Sequence, residues 1–249
     1  MTKIINKIHL PIPEQIAAFV ESVCRKQKQL NKAVRPMNMV IPIDSQNGRS
    51  RMTRIIADYY HEMKACKFSS RDYYLDLTID GKISSVCEAE ITLIENAEYS
   101  DTNYFRGVVA FDIDAILPHI NDSVGIKFFE LAAEIKKHSV IIFFVPVNSP
   151  PKQIEMIAEK IGANLKVLPS IEYDDEFFAR FLYEHLRSAS YFVPVLDECK
   201  DKIVSYIRQN IRTKTIKNIK EAANALLFDD EVLEAIFGKH PQIKEDMVR

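Results

Sequence analysis

Apolar positions along the chain repeat with two periods, and the change from one to the other marks its elements. Residues 13–31, PEQIAAFVESVCRKQKQLN, put Ile16, Phe19, Val20 and Val23 on one face and predict a helix. MNMVIPI, residues 37–43, predicts a buried strand. After a polar turn, Met52, Ile55, Ile56, Tyr59, Tyr60 and Met63 recur at i, i+3, i+4, i+7, i+8 and i+11, the strongest helical signal in the chain. YYLDLTID, residues 73–80, alternates as a strand does and is closed by the turn pair Asp80-Gly81. GVVAFDI at 107–113 predicts another buried strand and 122–137 a helix. SVIIFFVPV at 139–147 is apolar on both faces, as a strand inside a parallel sheet must be. Pro150 and Pro151 suit the start of a helix over 150–161, and ANLKVLPSIEY at 163–173 holds a short strand.

Residues 85–97 fit two elements. CEAEITLI alternates and could pair back across the Asp-Gly turn as a hairpin. Ser85-x-x-Glu88 is a capping box, however, and Val86, Leu93, Ile94 and Ala97 share a helical face, so the pattern favours a helix.

Strands alternating with helices in this rhythm predict an α/β fold, a parallel sheet with helices on both faces. The rhythm stops near residue 174. Beyond it the periodicity is helical, over 175–189, 196–210, 215–227 and 229–237, with Pro194 breaking the first from the second. This predicts a sheet domain over residues 1–190 and a small all-helical domain over 191–249. The aromatic run Tyr173, Phe177, Phe178, Phe181 and Tyr183 is expected to form the seam between them.

Composition narrows the picture. The chain has 249 residues and a formal net charge of −2, so charge alone points to neither nucleic acid nor an anionic membrane as a partner. Cys24, Cys66, Cys87 and Cys199 are far apart, without a C-x-x-C pair, and are expected to be reduced thiols in a cytoplasmic protein. MTKIINKIHLPIPE is too polar for a signal peptide, and no apolar run is long enough to span a bilayer. The histidines at 61, 119, 138, 185 and 240 show no metal-ligand spacing.

The polar turn after the first strand is the place to look for chemistry. A phosphate-binding loop reads G-x-x-x-x-G-K-[ST] between a strand and a helix. Its glycines let backbone N–H groups surround an anion, its lysine neutralises the terminal phosphates and its hydroxyl holds magnesium. The window here is Ile43-Asp44-Ser45-Gln46-Asn47-Gly48-Arg49-Ser50. Spacing and context agree, and Gly48 and Ser50 match. Ile43 stands at the first glycine and Arg49 at the lysine.

Order and spacing along most of the chain, from about residue 8 to 237, resemble an AAA+ ATPase module of the CbxX/CfqX type, which includes sporulation-protein-K-like ATPases. Asn38-Met39-Val40, Arg54, Ile56 and Ala57 match that family around its phosphate loop. GVVAFDIDAIL, residues 107–117, aligns without a gap with a segment close to GVLFIDEAYSL. The resemblance implies a nucleotide site of Gly48, Arg49, Ser50, Asp112, Asn148 and Lys214. Asn148 would be a polar sensor after the strand VIIFFVPV. Lys214 would stand in the lid where an arginine is usual. Magnesium would lie on Ser50 and Asp112, with ATP or ADP as cofactor.

The departures concern one function. Ile113 replaces the glutamate that would orient the attacking water and can neither accept a proton nor position a water molecule. No arginine lies between Arg106 and Arg180; the family's trans-acting fingers are expected at about 160–170, where Lys160 and Lys166 are the only cations. TIDGKISSV lacks the aromatic-apolar-glycine pore tripeptide. The expectation is a degenerate AAA+-like module without ATP hydrolysis. It would act as an interaction, scaffold or regulatory subunit with protein partners, as a homo-oligomer or in a mixed ring with active relatives. Gly48 and Ser50 could still hold an anion at a helix start. One alternative is an active but divergent ATPase in which Asp112 is catalytic. A second is an aspartyl phosphatase, because VVAFDIDAI also reads h-h-h-h-D-x-D, with Asp112 as nucleophile and Asp114 as general acid.

Overall fold

The computed structural model describes residues 37–63, 65–66, 72–76, 107–137, 139–162, 165–189 and 194–238, together with Ala18 and Ser22. The expected helix over 13–31 lies largely, and the ambiguous segment 85–97 wholly, outside the described residues.

Among the described residues five strands form one parallel sheet: β1 (Asn38–Pro42), β2 (Asp72–Asp76), β3 (Val108–Asp112), β4 (Val140–Val145) and β5 (Leu165–Val167), in the order β2-β3-β4-β1-β5. The register pairs Val40 with Phe143 and Ala110 with Ile142, and leaves Pro42 beside Val145 and Asp112 beside Phe144. β4 therefore lies between β1 and β3, and their carboxyl ends finish side by side. Asn38 helps to set this register, because its Oδ1 accepts from the Ile141 N–H at 2.8 Å.

Among the described residues three helices accompany the sheet: α1 (Arg49–Glu62), α2 (Ser123–Ile135) and α3 (Pro151–Ile161). Successive strand residues point to opposite faces. Val40, Val109, Phe111, Ile141, Phe143 and Val145 join one buried cluster with Phe128, Phe129, Ala132 and Ile135 of α2 and Ile157 and Ile161 of α3. Their neighbours Met39, Ile41, Val108, Ala110, Ile142 and Phe144 are equally buried. α1 contacts β3 and β2 and buries Met52, Ile56, Ala57 and Tyr60. Both faces are covered, which is why β4 could be apolar throughout. Phe111, Phe128, Phe129 and Phe143 pack edge-on or offset, with ring centroids 5.0–6.3 Å apart.

α2 starts on Asp122, whose Oδ1 accepts from the N–H groups of Val124 and Gly125 at 2.9 and 3.2 Å. Gly125 lies against the 3-10 turn Leu117–His119; a Cβ there would be 2.2 Å from the His119 carbonyl oxygen.

Four further helices follow: α4 (Asp175–Ser188), α5 (Leu196–Asn210), α6 (Ile216–Leu226) and α7 (Asp230–Phe237). They share a second core built from Phe178, Phe181, Leu182, Leu186, Ile203, Ile207, Ile219, Ala223, Leu233 and Ile236. Asp174, Thr215 and Asp229 cap three of them.

The chain divides into two compact units between Glu172 and Tyr173. That is earlier than the boundary expected at 190/191. The reason is that α4 buries its apolar face on α5 and α6. The aromatic run belongs to the same core: Tyr173 stacks on Phe177 with centroids 4.1 Å apart, and Phe178, Phe181 and Tyr183 are buried within the helical unit. Among the described residues no helix is long and apolar enough to cross a membrane.

Candidate functional site

β1 does not stop at Pro42 in a functional sense. Ile43 prolongs its direction, donating its N–H to Val145 O at 2.8 Å with its side chain fully buried. The loop then turns over Asp44–Gly48. Asp44 Oδ1 accepts from the Val147 N–H at 3.0 Å, tying the loop to the end of β4. Positive φ angles occur at Gln46 (66°) and Gly48 (86°). The backbone demand on a residue other than glycine thus falls on Gln46 and not on the β-branched Ile43. Gly48 meets its demand as glycine does and is the N-cap of α1, without a side-chain cap bond. Its carbonyl accepts the first helical bond, from Met52 N–H at 2.9 Å.

Arg49 is the first residue of α1, and it turns inward. It is 2% exposed. Its Nε donates to Ile43 O at 2.9 Å, and a terminal nitrogen donates to the same oxygen. The other terminal nitrogen pairs with Asp112 Oδ1 and, at 3.0 Å, with Asp114 Oδ2. Asp112 is the last residue of β3 and is 1% exposed. The backbone N–H of Asp114 also faces Asp112 Oδ1, at 3.4 Å. The guanidinium thus bridges the loop after β1, the end of β3 and the turn that follows.

Burial opposes the charge of Arg49, but attraction to Asp112 and then to Asp114 outweighs it, so the guanidinium is held above its ordinary value. Asp114 is moved the other way. Burial pushes its carboxyl up, Arg49 pulls it down, nearby Asp112 pushes it up again, and it settles at about 6.

Ser50 is exposed, whereas Asp112, with which it was to hold magnesium, is buried on Arg49. Asn148 is exposed in the turn after β4. Lys214 belongs to the helical unit, where its Nζ donates to Asp175 Oδ1 at 2.6 Å. Arg208 Nε takes the other oxygen at 2.7 Å. Both cations lower the Asp175 carboxyl, Lys214 first. Ile113 is fully buried and donates its N–H to Phe144 O at 3.2 Å.

Tested against a magnesium nucleotide, these side chains do not fit. The carboxylate that would face the metal is spent on Arg49, the cation that would face the phosphates is spent on Asp112 and Asp114, and apolar Ile113 takes the place of a water-orienting carboxylate. The same ion pair falls on Oδ1 of Asp112, the carboxylate that would be the nucleophile of an aspartyl phosphatase. Sequence inspection did not assign Asp114 to a shared site with Arg49. The available signal was an arginine in the lysine position together with an extra acid two residues past Asp112.

No protein-family model matches the chain, and no curated protein matches it in sequence. Solved structures do match it in fold. Domain III of the Thermotoga maritima replication initiation protein DnaA superposes with a TM-score of 0.51 at 10% identity, over 93% of this chain and 96% of that one. Thermotoga maritima RuvB gives 0.55 at 12% identity, and C. elegans PCH-2 gives 0.52 at 10%. These alignments cover 91% and 87% of this chain, which spans 65% of the RuvB chain and 62% of the PCH-2 chain. The chain has the α/β fold of the AAA+ ATPases, with a helical C-terminal part.

Proposed function

We propose that this chain is a degenerate AAA+-like module that does not hydrolyse ATP and works by binding other proteins. The observation that carries the proposal is the ion pair of Arg49 with Asp112, joined by Asp114, at the carboxyl ends of the central strands. Ligand chemistry in open α/β sheets is done at those ends. Phosphoryl transfer needs positioned charge and an oriented water. Here Arg49 is paired with Asp112 and Asp114, and the side chain of Ile113 has no polar atom to offer.

A protein partner suits the surface of the helical unit. Phe228, in the turn between α6 and α7, is 91% exposed. It lies in a stretch, residues 221–238, that contains Glu221, Asp229, Asp230, Glu231 and Glu234 and no lysine or arginine. An exposed ring amid carboxylates suits an apolar pocket with a basic rim and repels a nucleic-acid backbone. The partner could be a second copy or an active relative in a mixed ring, and a cytoplasmic setting agrees with the buried thiols of Cys66 and Cys199.

The direct test is phosphate release from ATP with magnesium. The rate should equal a protein-free blank, and Asp112→Asn should leave it unchanged. Turnover that disappears in Asp112→Asn overturns the proposal in favour of a divergent ATPase. Hydrolysis of p-nitrophenyl phosphate lost in the same variant would favour the phosphatase.

A further inference from the structure

A nucleoside-triphosphatase scaffold without a nucleotide faces a physical difficulty. The carboxylate at the end of β3 is buried, and an uncompensated buried charge is strongly destabilising. Active sites of this geometry would be neutralised by a cation brought with the nucleotide. This chain must find one elsewhere, and Arg49 is at hand. Its stem starts at the first turn of α1, its Nε is fixed on the Ile43 carbonyl, and its terminal nitrogen reaches both Asp112 and Asp114. Three polar atoms from three segments hold one side chain that is almost without solvent contact. A surface arginine swung in by chance would lack the bond to Ile43 O that fixes its plane.

We infer that Arg49 is a resident cation that takes over the site, so that the fold is complete without nucleotide or magnesium, and that removing it exposes a latent divalent-cation site on Asp112 and Asp114. The inference rests on the degenerate-module reading above but can fail separately from it: a chain that binds magnesium–ATP without cleaving it would keep that reading and refute this one. The latent site follows from the donor set. Two carboxylates that share one guanidinium nitrogen are close enough to share a hard cation, which takes oxygen ligands.

Thermal melting of the full chain tests this. The wild-type midpoint should not move with magnesium, with ATP or with both, because only a ligand of the native state raises it. Arg49→Ala should lower the midpoint by roughly 10 °C, as loss of one partner of a buried pair does for a chain of this size. Magnesium or manganese alone should then recover part of the loss in Arg49→Ala but none in Arg49→Ala/Asp112→Asn. If Arg49→Ala does not fold, Arg49→Met/Asp112→Leu should fold and melt near the wild type, because an apolar pair replaces the ionic one. Three results overturn the inference: a wild-type midpoint raised by magnesium–ATP, an Arg49→Ala midpoint equal to the wild type, or the same divalent response with and without Asp112.

Discussion

At the scale of single residues, the loop between β1 and α1 carries a cost that a phosphate loop would avoid. Gln46 sits at φ 66°, a left-handed conformation that costs a side-chain-bearing residue on the order of 1 kcal/mol. Gln46→Gly should therefore be neutral or stabilising by up to about 1 kcal/mol in denaturant unfolding, where glycine elsewhere in a loop usually costs stability. Asp114 provides a second prediction with a sign. Its folded-state value is about 6, above its ordinary 3.8, chiefly because it is buried. Between those values the folded chain holds a proton that the unfolded chain has released, so this group's contribution falls as pH rises from about 4 to 6, and the full penalty stands above 6. Asp114→Asn removes the penalty. The variant should be more stable than the wild type at pH 8, by roughly 1–3 kcal/mol, with the gap closing towards pH 4. A gap that widens on acidification would show that the ion pair with Arg49, not burial, dominates at Asp114. The identity of Arg49 in a lysine position was legible in the sequence. Its inward turn was not, because that depends on the end of β3, 63 residues away in sequence, coming to rest beside the start of α1.

At the scale of elements, the periodic signal was close to sufficient. Strands β1, β3 and β4 are buried on both faces and read as continuous apolar runs; α1 and α4–α7 read as one-faced helices, and the ends of these strands and of α4–α7 agree within a residue or two. What periodicity could not supply is contact between elements. Gly125 is an example. It looks like a weak point in a helix, yet the backbone of His119 and Ile120 occupies the space a Cβ would need. Gly125→Ala should cost about 1–3 kcal/mol, although alanine is the better helix former, because the contact is with backbone that cannot rotate away. Measured unfolding free energy decides it, and a stabilised variant would mean that the 3-10 turn shifts freely.

At the scale of the whole chain, two cores stand where the sequence suggested one large domain and a short lid. The aromatic run was expected as the seam between the two domains; Phe178, Phe181 and Leu182 of α4 instead belong to the core of the helical unit with α5 and α6. A segment from Tyr173 to Gly238 should therefore melt cooperatively on its own, while one starting at residue 191 should not, having lost the helix that lines half its core; circular dichroism of the two separates these outcomes. Asp175 adds to this unit by holding Arg208 and Lys214 together. Both cations expected at the nucleotide are thus paired with carboxylates of their own unit. The most direct trial of that central claim is a single-turnover experiment with the full chain in excess over γ-labelled ATP and magnesium. The account predicts no labelled phosphate beyond the protein-free control, even after hours. Release of about one phosphate per ATP, abolished by Asp112→Asn, would contradict it.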